Sequence, residues 1–251
     1  MVKTCLKFPL FIALLFGGML SAQTAFWSED FASGIPASWS NTDASGQNAI
    51  WTWCNDPAAG NSQPGCPSVW DDDTNQQIPF QASTATNGFA TLDSDGYGNV
   101  NPSHVSRLTT SAIDCSGKSV VYIAFQTHIG VYEIDADAGA VLRVSSDNIN
   151  WTQYVVFPGL TTAIRWSENP AEPIINISDA AAGKSTVYIQ WQWTGSFEYQ
   201  WSIDDVAMYA ENPTPPHDMA IGDFYFPPSS QLQPVSQIAT DTFGFSAELS
   251  N

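Results

Sequence analysis

The sequence predicts an all-β protein, built as an antiparallel β-sandwich or jelly roll. Short runs rich in β-branched and aromatic residues recur along the chain, and turn formers such as Gly, Asn and Asp separate them. No segment has apolar residues repeating every 3.6 positions, the pattern of an amphipathic helix. Several short strands with turns at near-regular spacing are typical of sandwiches. The strands that we expect are 89–92, 120–128, 140–145, 152–157, 186–193 and 201–209.

The first 22 residues have the features of a secretion signal. Lys3 and Lys7 form a basic start, residues 8–20 are apolar, and Ser21 and Ala22 provide small residues at a cleavage site. The apolar stretch is shorter than the ~20 residues of a membrane-spanning helix, and no other run is apolar enough to span a bilayer. We therefore expect a signal peptide at 1–22 and an exported protein that is not inserted in a membrane.

The chain is strongly acidic. It has 7 Lys and Arg against 25 Asp and Glu, a net charge of −18, and removal of Lys3 and Lys7 would bring the charge to −20. Binding to phosphates requires basic patches, so nucleic acid and anionic membrane surfaces are not expected partners. Calcium, cationic surfaces and neutral glycans are compatible with this charge. The alternative explanation is that acidity keeps an exported protein soluble.

Three cysteines remain once the signal, which contains Cys5, is removed. Cys54 and Cys66 bracket a stretch rich in Pro, Gly, Asn and Ser. A disulfide between them would close a short loop and contribute ~3 kcal/mol in the chain-entropy model. Cys115 is either a buried small apolar residue or a competitor for one of the other two. The chain has no CxxC pair, so zinc is not expected.

A change in composition divides the mature chain. We expect a jelly-roll domain at 23–210 and a stiff Pro-rich linker at 211–217. A new strand and turn begin in 218–251, but 34 residues are too few to bury an independent β core. We expect these residues to start a second domain of a longer protein.

Two adjacent carboxylates lie inside the strand-like run 197–209. Asp204 and Asp205 have aromatic and β-branched neighbours, and no Gly or Pro interrupts the run. Side chains alternate between the two faces of a strand, so one of the pair points to the packed face. A carboxylate there needs a cation, a metal or several N–H donors, and basic residues are scarce. The pair therefore indicates metal binding.

Two other segments have spacings that calcium loops use. Asp93 and Asp95 precede Gly96 with alternate oxygen donors, although the closing Glu of an EF-hand is missing. Asp43 and Ser45 form a weaker version of the same pattern. The charge run 71–73 is more typical of a solvated loop. Because calcium takes six to eight oxygens, a site would combine residues from several loops.

Motifs for catalysis are sparse. The three histidines are scattered, and neither an HExxH motif, a GxSxG elbow nor a phosphate-binding glycine loop occurs. Glu133, Asp135 and Asp137 could align three carboxylates along one strand face, as a glycosidase needs. Their neighbours favour an exposed acidic turn instead. We do not expect an enzyme in this chain.

Ten tryptophans are many for 251 residues. Trp191, Trp193 and Trp201 alternate on strands and are expected on a core face. Three others flank the loop between the two cysteines: Trp51, Trp53 and Trp70. Exposed aromatic side chains there could stack on sugar rings. The alternative is that they pack beneath the loop.

Five segments occur in a specific order along residues 25–210. They are FWSEDFASGIPASW at 26–39, NGFATLDSD at 87–95, LTTSAIDCSG at 108–117, LRVSSDNINW at 142–151 and WSIDDV at 201–206. Together they resemble the cleaved adhesin domains of gingipain-type bacterial surface proteins, which are jelly-roll modules related in architecture to MAM domains. Residues 218–251 resemble the beginning of an immunoglobulin-like (Ig-like) adhesion domain.

The resemblance implies a calcium-stabilised sandwich without catalytic residues. It places the calcium ligands at Asp30, Asp43, Ser45 and one of Asp204 and Asp205. Ala32 stands where the family usually has an acidic residue.

We therefore expect a secreted, non-catalytic module that binds a glycan or an extracellular protein. Calcium would fix its loops. Two alternatives stay open: an accessory domain of a secreted peptidase or glycoside hydrolase whose catalytic domain lies outside this chain, and a structural spacer.

Overall fold

A computed structural model describes residues 23–58, 63–70, 76–133, 136–160, 165–214, 220–225 and 246–250. The predicted signal peptide and the charge run 71–73 lie outside the described residues. The strands are β1 Trp27–Glu29, β2 Ser40–Asp43, β3 Thr52–Cys54, β4 Val69–Trp70, β5 Gln77–Ile78, β6 Phe89–Asp93, β7 His104–Thr109, β8 Tyr122–Val131, β9 Ala140–Ser145, β10 Thr152–Val155, β11 Arg165–Trp166, β12 Ile174–Asn176, β13 Tyr188–Gly195, β14 Gln200–Tyr209, β15 Ala220–Tyr225 and β16 Ser246–Ser250. Three one-turn helices are α1 Ser94–Tyr97, α2 Ala136–Gly139 and α3 Ser178–Ala181.

Two antiparallel sheets form the sandwich. The seven-stranded sheet has the order β11-β8-β14-β6-β3, with β1 also paired to β14 and β12 to β8. The five-stranded sheet has the order β10-β9-β13-β7-β2. The prediction of an all-β antiparallel jelly-roll sandwich is confirmed, and each of the six expected strands is present within a few residues of its predicted bounds.

The core lies between the two sheets and is rich in aromatic side chains. Trp191 of β13 meets Phe125 of β8 edge to face, with ring centroids 5.8 Å apart, so this contact joins the sheets. Trp193 and Trp201 are also fully buried, as the alternating pattern predicted. Burial of such large apolar surfaces is the main source of stability for a sandwich.

A second apolar cluster covers the outer face of the seven-stranded sheet. It comprises Cys54, Cys66, Val69, Phe80, Ala82, Ala85 and Phe89, with Ile78 at its margin. The Cys54–Cys66 disulfide holds one side of this cover, which confirms the predicted bridge. Phe80 packs edge to face on Phe89 of β6, with centroids 5.2 Å apart. We call the described residues 54–58, 63–70 and 76–88 the cover.

Polar side chains are buried beneath the cover. The hydroxyls of Thr91 and Ser202 are 2.9 Å apart, and Gln200 Nε2 lies 3.1 Å from His128 Nδ1. All four residues are buried. These hydrogen bonds satisfy groups that the cover removes from water.

Strand β14 contains a β-bulge at the two adjacent acids. Asp204 pairs with Gln126 and Ala207 with Ala124, so Asp205 and Val206 together stand opposite one residue of β8. Asp205 has a φ of +48°, in the left-handed region that non-glycine residues rarely occupy. The bulge therefore lies at the position that the sequence singled out.

Cys115 is a fully buried free thiol. Burial raises its pKa to about 11, so it stays protonated and behaves as a small apolar residue. This outcome agrees with the first of the two interpretations of Cys115.

Strands β15 and β16 pair with each other in a two-stranded ribbon. The assignment of 211–217 to a linker and of 218–251 to the start of an Ig-like domain stays a prediction. Within the described residues, none of the helices is both long and apolar enough to cross a membrane.

Candidate ligand-binding face and acidic sites

The outer face of the five-stranded sheet carries two rows of mostly polar side chains. Alternation along β13 places Trp191 and Trp193 in the core, and it therefore places Gln190 and Gln192 on the opposite face. Cross-strand register builds the first row as Thr42, Arg107, Gln192, Val141 and Val155. It builds the second row as Ser40, Thr109, Gln190, Arg143 and Gln153.

Hydrogen bonds join five of these residues, which we call the arginine–glutamine strip: Arg107, Thr109, Arg143, Gln190 and Gln192. Gln192 Oε1 accepts from Arg107 Nε at 2.9 Å and from Arg143 Nη1 at 2.7 Å. Arg143 Nη1 also donates to Gln190 Oε1 at 2.8 Å, and Gln190 Nε2 donates to Thr109 Oγ1 at 2.9 Å. The strip thus spans β7, β13 and β9.

The two guanidinium groups of the strip are electrostatic neighbours. Burial lowers the pKa of Arg143, and the charge of Arg107 lowers it further. Both side chains are only partly exposed. Two like charges held together on one sheet face are unfavourable unless a bound group compensates them.

An aromatic ring lies beside the strip. The guanidinium carbon of Arg143 is 5.2 Å from the ring centroid of Trp151, a cation–π contact. Trp151 follows the turn between β9 and β10 and is partly exposed. Its ring therefore extends the polar strip with an apolar surface.

The strip is not among the candidate sites that the sequence predicts. Arg143, Gln190 and Gln192 fall on predicted strands, but β7, which carries Arg107 and Thr109, was not predicted. The cross-strand neighbours of each residue also depend on pairing registers that one sequence does not give. One signal was present: QWQW at 190–193 alternates amides with core tryptophans. Such alternation marks the glutamines as the outer face of a central strand.

The three tryptophans expected to stack on sugars lie elsewhere. Trp51 is only 2% exposed and packs on Trp201 with centroids 5.3 Å apart, so its expected role as a sugar-binding residue is wrong. Trp53 is partly buried against the core, and its Nε1 donates to the Phe31 carbonyl at 2.8 Å. Trp70 lies in β4, opposite Gln77. The alternative, packing beneath the loop, fits Trp51 best.

The residues expected to bind calcium fall into three separate groups. Asp43 and Ser45 form a capped turn at the end of β2. Asp43 accepts hydrogen bonds from the backbone N–H groups of Ser45, Gln47, Ala49 and Val105, and from the Ser45 hydroxyl. Burial works against the charged form, but these donors outweigh it and lower the pKa of Asp43 to about 2. The carboxylate is satisfied by this loop without a metal.

Asp93 and Asp95 lie at α1, where they shape a turn. Asp93 Oδ1 accepts from Gly96 N at 2.8 Å, and Asp95 Oδ1 accepts from Tyr199 N at 2.9 Å. Burial raises the pKa of Asp93 despite the bond from Gly96. A cleft of about 320 Å³ adjoins both carboxylates. Each has its own backbone donor, as expected of a structural turn.

The third group surrounds the bulge in β14, and we call Asp30, Thr84, Asp204 and Asp205 the acidic cluster. The Thr84 hydroxyl is 2.8 Å from Asp205 Oδ1 and 3.2 Å from Asp204 Oδ2. Asp204 is fully buried, and burial raises its pKa to about 7, with the charges of Asp205 and Asp30 acting in the same direction. Asp205 Oδ2 is buried and has no hydrogen-bond partner.

The acidic cluster partly fits a calcium ion. Its donors are hard oxygens, and the orphaned oxygen of Asp205 lacks the partner that a buried acceptor requires. Among the residues that the structure describes, however, no three His, Cys, Asp or Glu side chains are grouped closely enough to hold a metal. A full shell would need the Thr84 hydroxyl, backbone oxygens or water. Asp43, Ser45, Asp93 and Asp95 do not join this cluster.

Two arrangements bear on catalysis. Ser94 Oγ lies 3.2 Å from His104 Nε2, but both residues are fully buried and cannot meet a substrate in this structure. β8 ends at Val131, before Glu133, and Asp137 lies in α2, whereas Asp135 lies outside the described residues. Glu133 and Asp137 therefore do not lie on one strand.

Comparisons with known proteins give structural likeness alone. No protein-family model and no curated protein matches the chain. The chain is similar to the K1 cleaved adhesin domain of Lys-gingipain from Porphyromonas gingivalis W83, with 18% identity, a TM-score of 0.42, and coverage of 74% of this chain and 98% of that one. The K3 domain of the same protein has 16% sequence identity to this chain and a TM-score of 0.45, with coverage of 74% of this chain and 99% of that one. CBM27-1 of Caldicellulosiruptor saccharolyticus, solved in complex with mannohexaose, has 15% identity to this chain and a TM-score of 0.42. The match covers 74% of this chain and 97% of that one.

Proposed function

We propose that this chain is an extracellular, non-catalytic module that binds glycans on the open face of its five-stranded sheet. The observation that carries the proposal is the arginine–glutamine strip with Trp151 beside it. The strip offers amide and guanidinium donors, amide acceptors and one aromatic ring on a single surface. Sugars present the matching hydroxyl groups and apolar ring faces.

The shape of the surface favours an extended ligand. Five strands spaced ~4.8 Å apart give each row a span of ~19 Å across the sheet. An oligosaccharide can lie along such a row and meet several side chains in turn. Gln192 is central in the first row and already accepts from two arginines, so its amide orientation is fixed before a ligand binds.

Affinity electrophoresis of the full chain through gels that contain different polysaccharides tests this proposal. We expect retardation by at least one glycan, and we expect Trp151→Ala and Gln192→Ala to reduce it. Gln77→Ala, an exposed amide on the cover, is the matched control and should migrate like the wild type. Retardation by no glycan, or equal losses in the strip and control variants, would refute the proposal.

We also propose that calcium binds at the acidic cluster and acts structurally. The support is the buried, unpartnered Asp205 Oδ2 beside Asp204, together with the left-handed backbone of Asp205. An ion there would connect Asp30, which follows β1, to β14 and to Thr84 of the cover. The ion would supply charge compensation and would carry out no reaction.

Melting of the full chain in calcium and in chelator tests the calcium proposal. A ligand that binds only the folded state must raise the midpoint. Asp205→Asn should remove the calcium response, whereas Asp56→Asn, at an exposed turn, should retain it. An equal midpoint in calcium and chelator would contradict calcium binding.

We infer export from the predicted signal at 1–22 and from the disulfide, since disulfides persist in oxidising compartments. Sequencing the N-terminus of the exported protein should give Gln23 as the first residue. Roles as an accessory domain of a larger enzyme or as a spacer stay predictions, and a spacer would show no glycan binding.

A further inference from the structure

We propose that the glycan bound by this chain carries an acidic group, a carboxylate or a sulfate, which is held between Arg107 and Arg143. This inference rests on the proposed function and specifies the chemical class of its ligand. The anion would lie over β13, the strand between the two that carry the arginines.

The arginine pair faces no protein counter-charge among the described residues. Arg107 and Arg143 influence each other electrostatically and share Gln192 Oε1 as an acceptor. Neither arginine has a carboxylate partner among the described residues, although the chain contains 25 acidic residues and only 7 basic ones. The two rows of the open face consist of Ser, Thr, Gln, Val and Arg alone. The charge of the pair is therefore left for a ligand to neutralise.

Several N–H donors of the two arginines are also available to a ligand. A guanidinium has five N–H donors in a planar fork that matches the oxygens of a carboxylate or sulfate. Bonds to described residues engage only Nε of Arg107 and Nη1 of Arg143. The remaining N–H groups of both arginines have no protein acceptor in the described part of the chain. Because both guanidinium groups donate to Gln192, they lie close enough together to hold one anionic group between them.

Neighbouring side chains hold the two arginines in place. Gln190 fixes Arg143 from one side and is itself fixed by Thr109, while the Trp151 ring packs on the same guanidinium. Side chains ordered before binding lose less conformational entropy when a ligand arrives. Arginines that served only solubility would gain nothing from this ordering.

The net charge of the chain limits what the ligand can be. A protein of net charge −18 repels polyanions at distances up to the Debye length, ~8 Å at physiological salt. Two arginines cannot neutralise the closely spaced phosphates of a nucleic acid. Isolated acidic groups on a sugar chain suit the pair better.

Isothermal titration of the full chain with matched glycans tests the inference. One arm compares a xylo-oligosaccharide that carries a single glucuronate with the same oligosaccharide without the uronate. The other arm compares a galacto-oligosaccharide that carries a single sulfate with its unsulfated form. In at least one pair, we expect the charged glycan to bind at least about tenfold more tightly than the neutral one. The arm in which this occurs shows whether the recognised group is a carboxylate or a sulfate.

Charge-removing variants complete the test. Arg107→Gln and Arg143→Gln should each weaken binding of the charged glycan about tenfold or more, the loss expected for a charge-assisted hydrogen bond. Arg165→Gln removes the same charge from an exposed position on the other sheet and should bind like the wild type. Melting curves confirm that each variant is folded.

Two other results would overturn the inference in distinguishable ways. Equal binding of charged and neutral glycans, insensitive to both arginine variants, would refute the acidic ligand and leave the glycan-binding proposal intact. Binding of no glycan in either arm, together with no retardation in the polysaccharide gels, would refute both.

Discussion

The outer faces of the two sheets differ in whether other residues cover them. The outer face of the seven-stranded sheet is sealed by the cover, the Cys54–Cys66 disulfide and an apolar cluster, so its polar residues bond to one another in the interior. The outer face of the five-stranded sheet has no such layer in the described structure, and its polar residues form the arginine–glutamine strip. Both faces contain hydrogen-bonded networks. In the second network Gln190 and Thr109 are buried, whereas Arg107, Arg143 and Gln192 are partly exposed and can meet a ligand.

This difference separates two uses of polar side chains. Beneath the cover, a hydroxyl or amide without a partner would cost ~1–3 kcal/mol, so pairing there is a condition of folding. On the open face, water can reach the partly exposed Arg107, Arg143 and Gln192, and pairing serves to position these three side chains. Substitutions on the two faces should therefore affect different measurements.

The largest expected effect is in the core that both sheets share. Trp51→Ala removes a fully buried ring that packs on Trp201 and should lower the free energy of unfolding by about 3–5 kcal/mol. Guanidinium unfolding measures this loss. Trp151→Ala, beside the strip, should cost less than about 1 kcal/mol and should mainly weaken glycan binding. Equal destabilisation by the two variants would contradict the distinction between core and open face.

Removal of the disulfide tests the cover. Cys54 and Cys66 are 12 residues apart, and a loop of that length predicts a loss of about 3 kcal/mol when both are replaced by alanine. Unfolding by denaturant gives the change. At a temperature at which the variant is folded, its glycan binding should stay close to that of the wild type. A variant that is stable but has lost binding would show that the cover also supports the ligand face.

Asp43→Asn tests the end of β2, an edge strand of the open sheet. The charged carboxylate accepts four backbone N–H bonds, and its replacement should cost about 2 kcal/mol near neutral pH. The folded pKa of Asp43, about 2, is below the ordinary value of 3.8, so its stabilisation is present above pH ~4 and is lost as the pH falls toward 2. The difference between wild type and variant should therefore shrink over this window. A constant difference would show that the charge of Asp43 is not responsible.

The smallest stability effect is expected on the strip itself. Gln192→Leu removes the acceptor shared by Arg107 and Arg143 at a partly exposed site, and the unfolding free energy should change by no more than about 0.5 kcal/mol. Glycan affinity should nonetheless fall. A loss of several kcal/mol would mean that the strip is a structural network like the one beneath the cover.

The sequence predicted the sandwich well because its longest strands carry their own pattern. Strands β8, β9, β13 and β14 are alternating or rich in β-branched and aromatic residues, and this composition identifies them. Short edge strands such as β1 and β2 have three or four residues each and form because they pair with longer neighbours. Their existence depends on tertiary contacts that local pattern does not contain.

The candidate site was predicted less well, for two physical reasons. Arg107 and Arg143 are 36 positions apart and become neighbours only through the registers of β7, β13 and β9. Asp43 and Ser45 have a spacing that suits either a metal loop or a capped turn, and in the structure backbone N–H groups donate to Asp43 as in a capped turn. The Asp204–Asp205 pair was correctly recognised as unusual, since it coincides with the bulge.

That bulge has a consequence for sequence change at Asp205. If this one residue were deleted, Asp204, Val206 and Ala207 would pair with three consecutive residues of β8, and every other side chain of β14 would keep its face. The deletion would also remove a left-handed backbone conformation that costs ~1–3 kcal/mol. The sheet would therefore tolerate a shorter chain at this point. Asp205 is thus an extra residue in the strand, and one of its carboxylate oxygens accepts from the Thr84 hydroxyl of the cover.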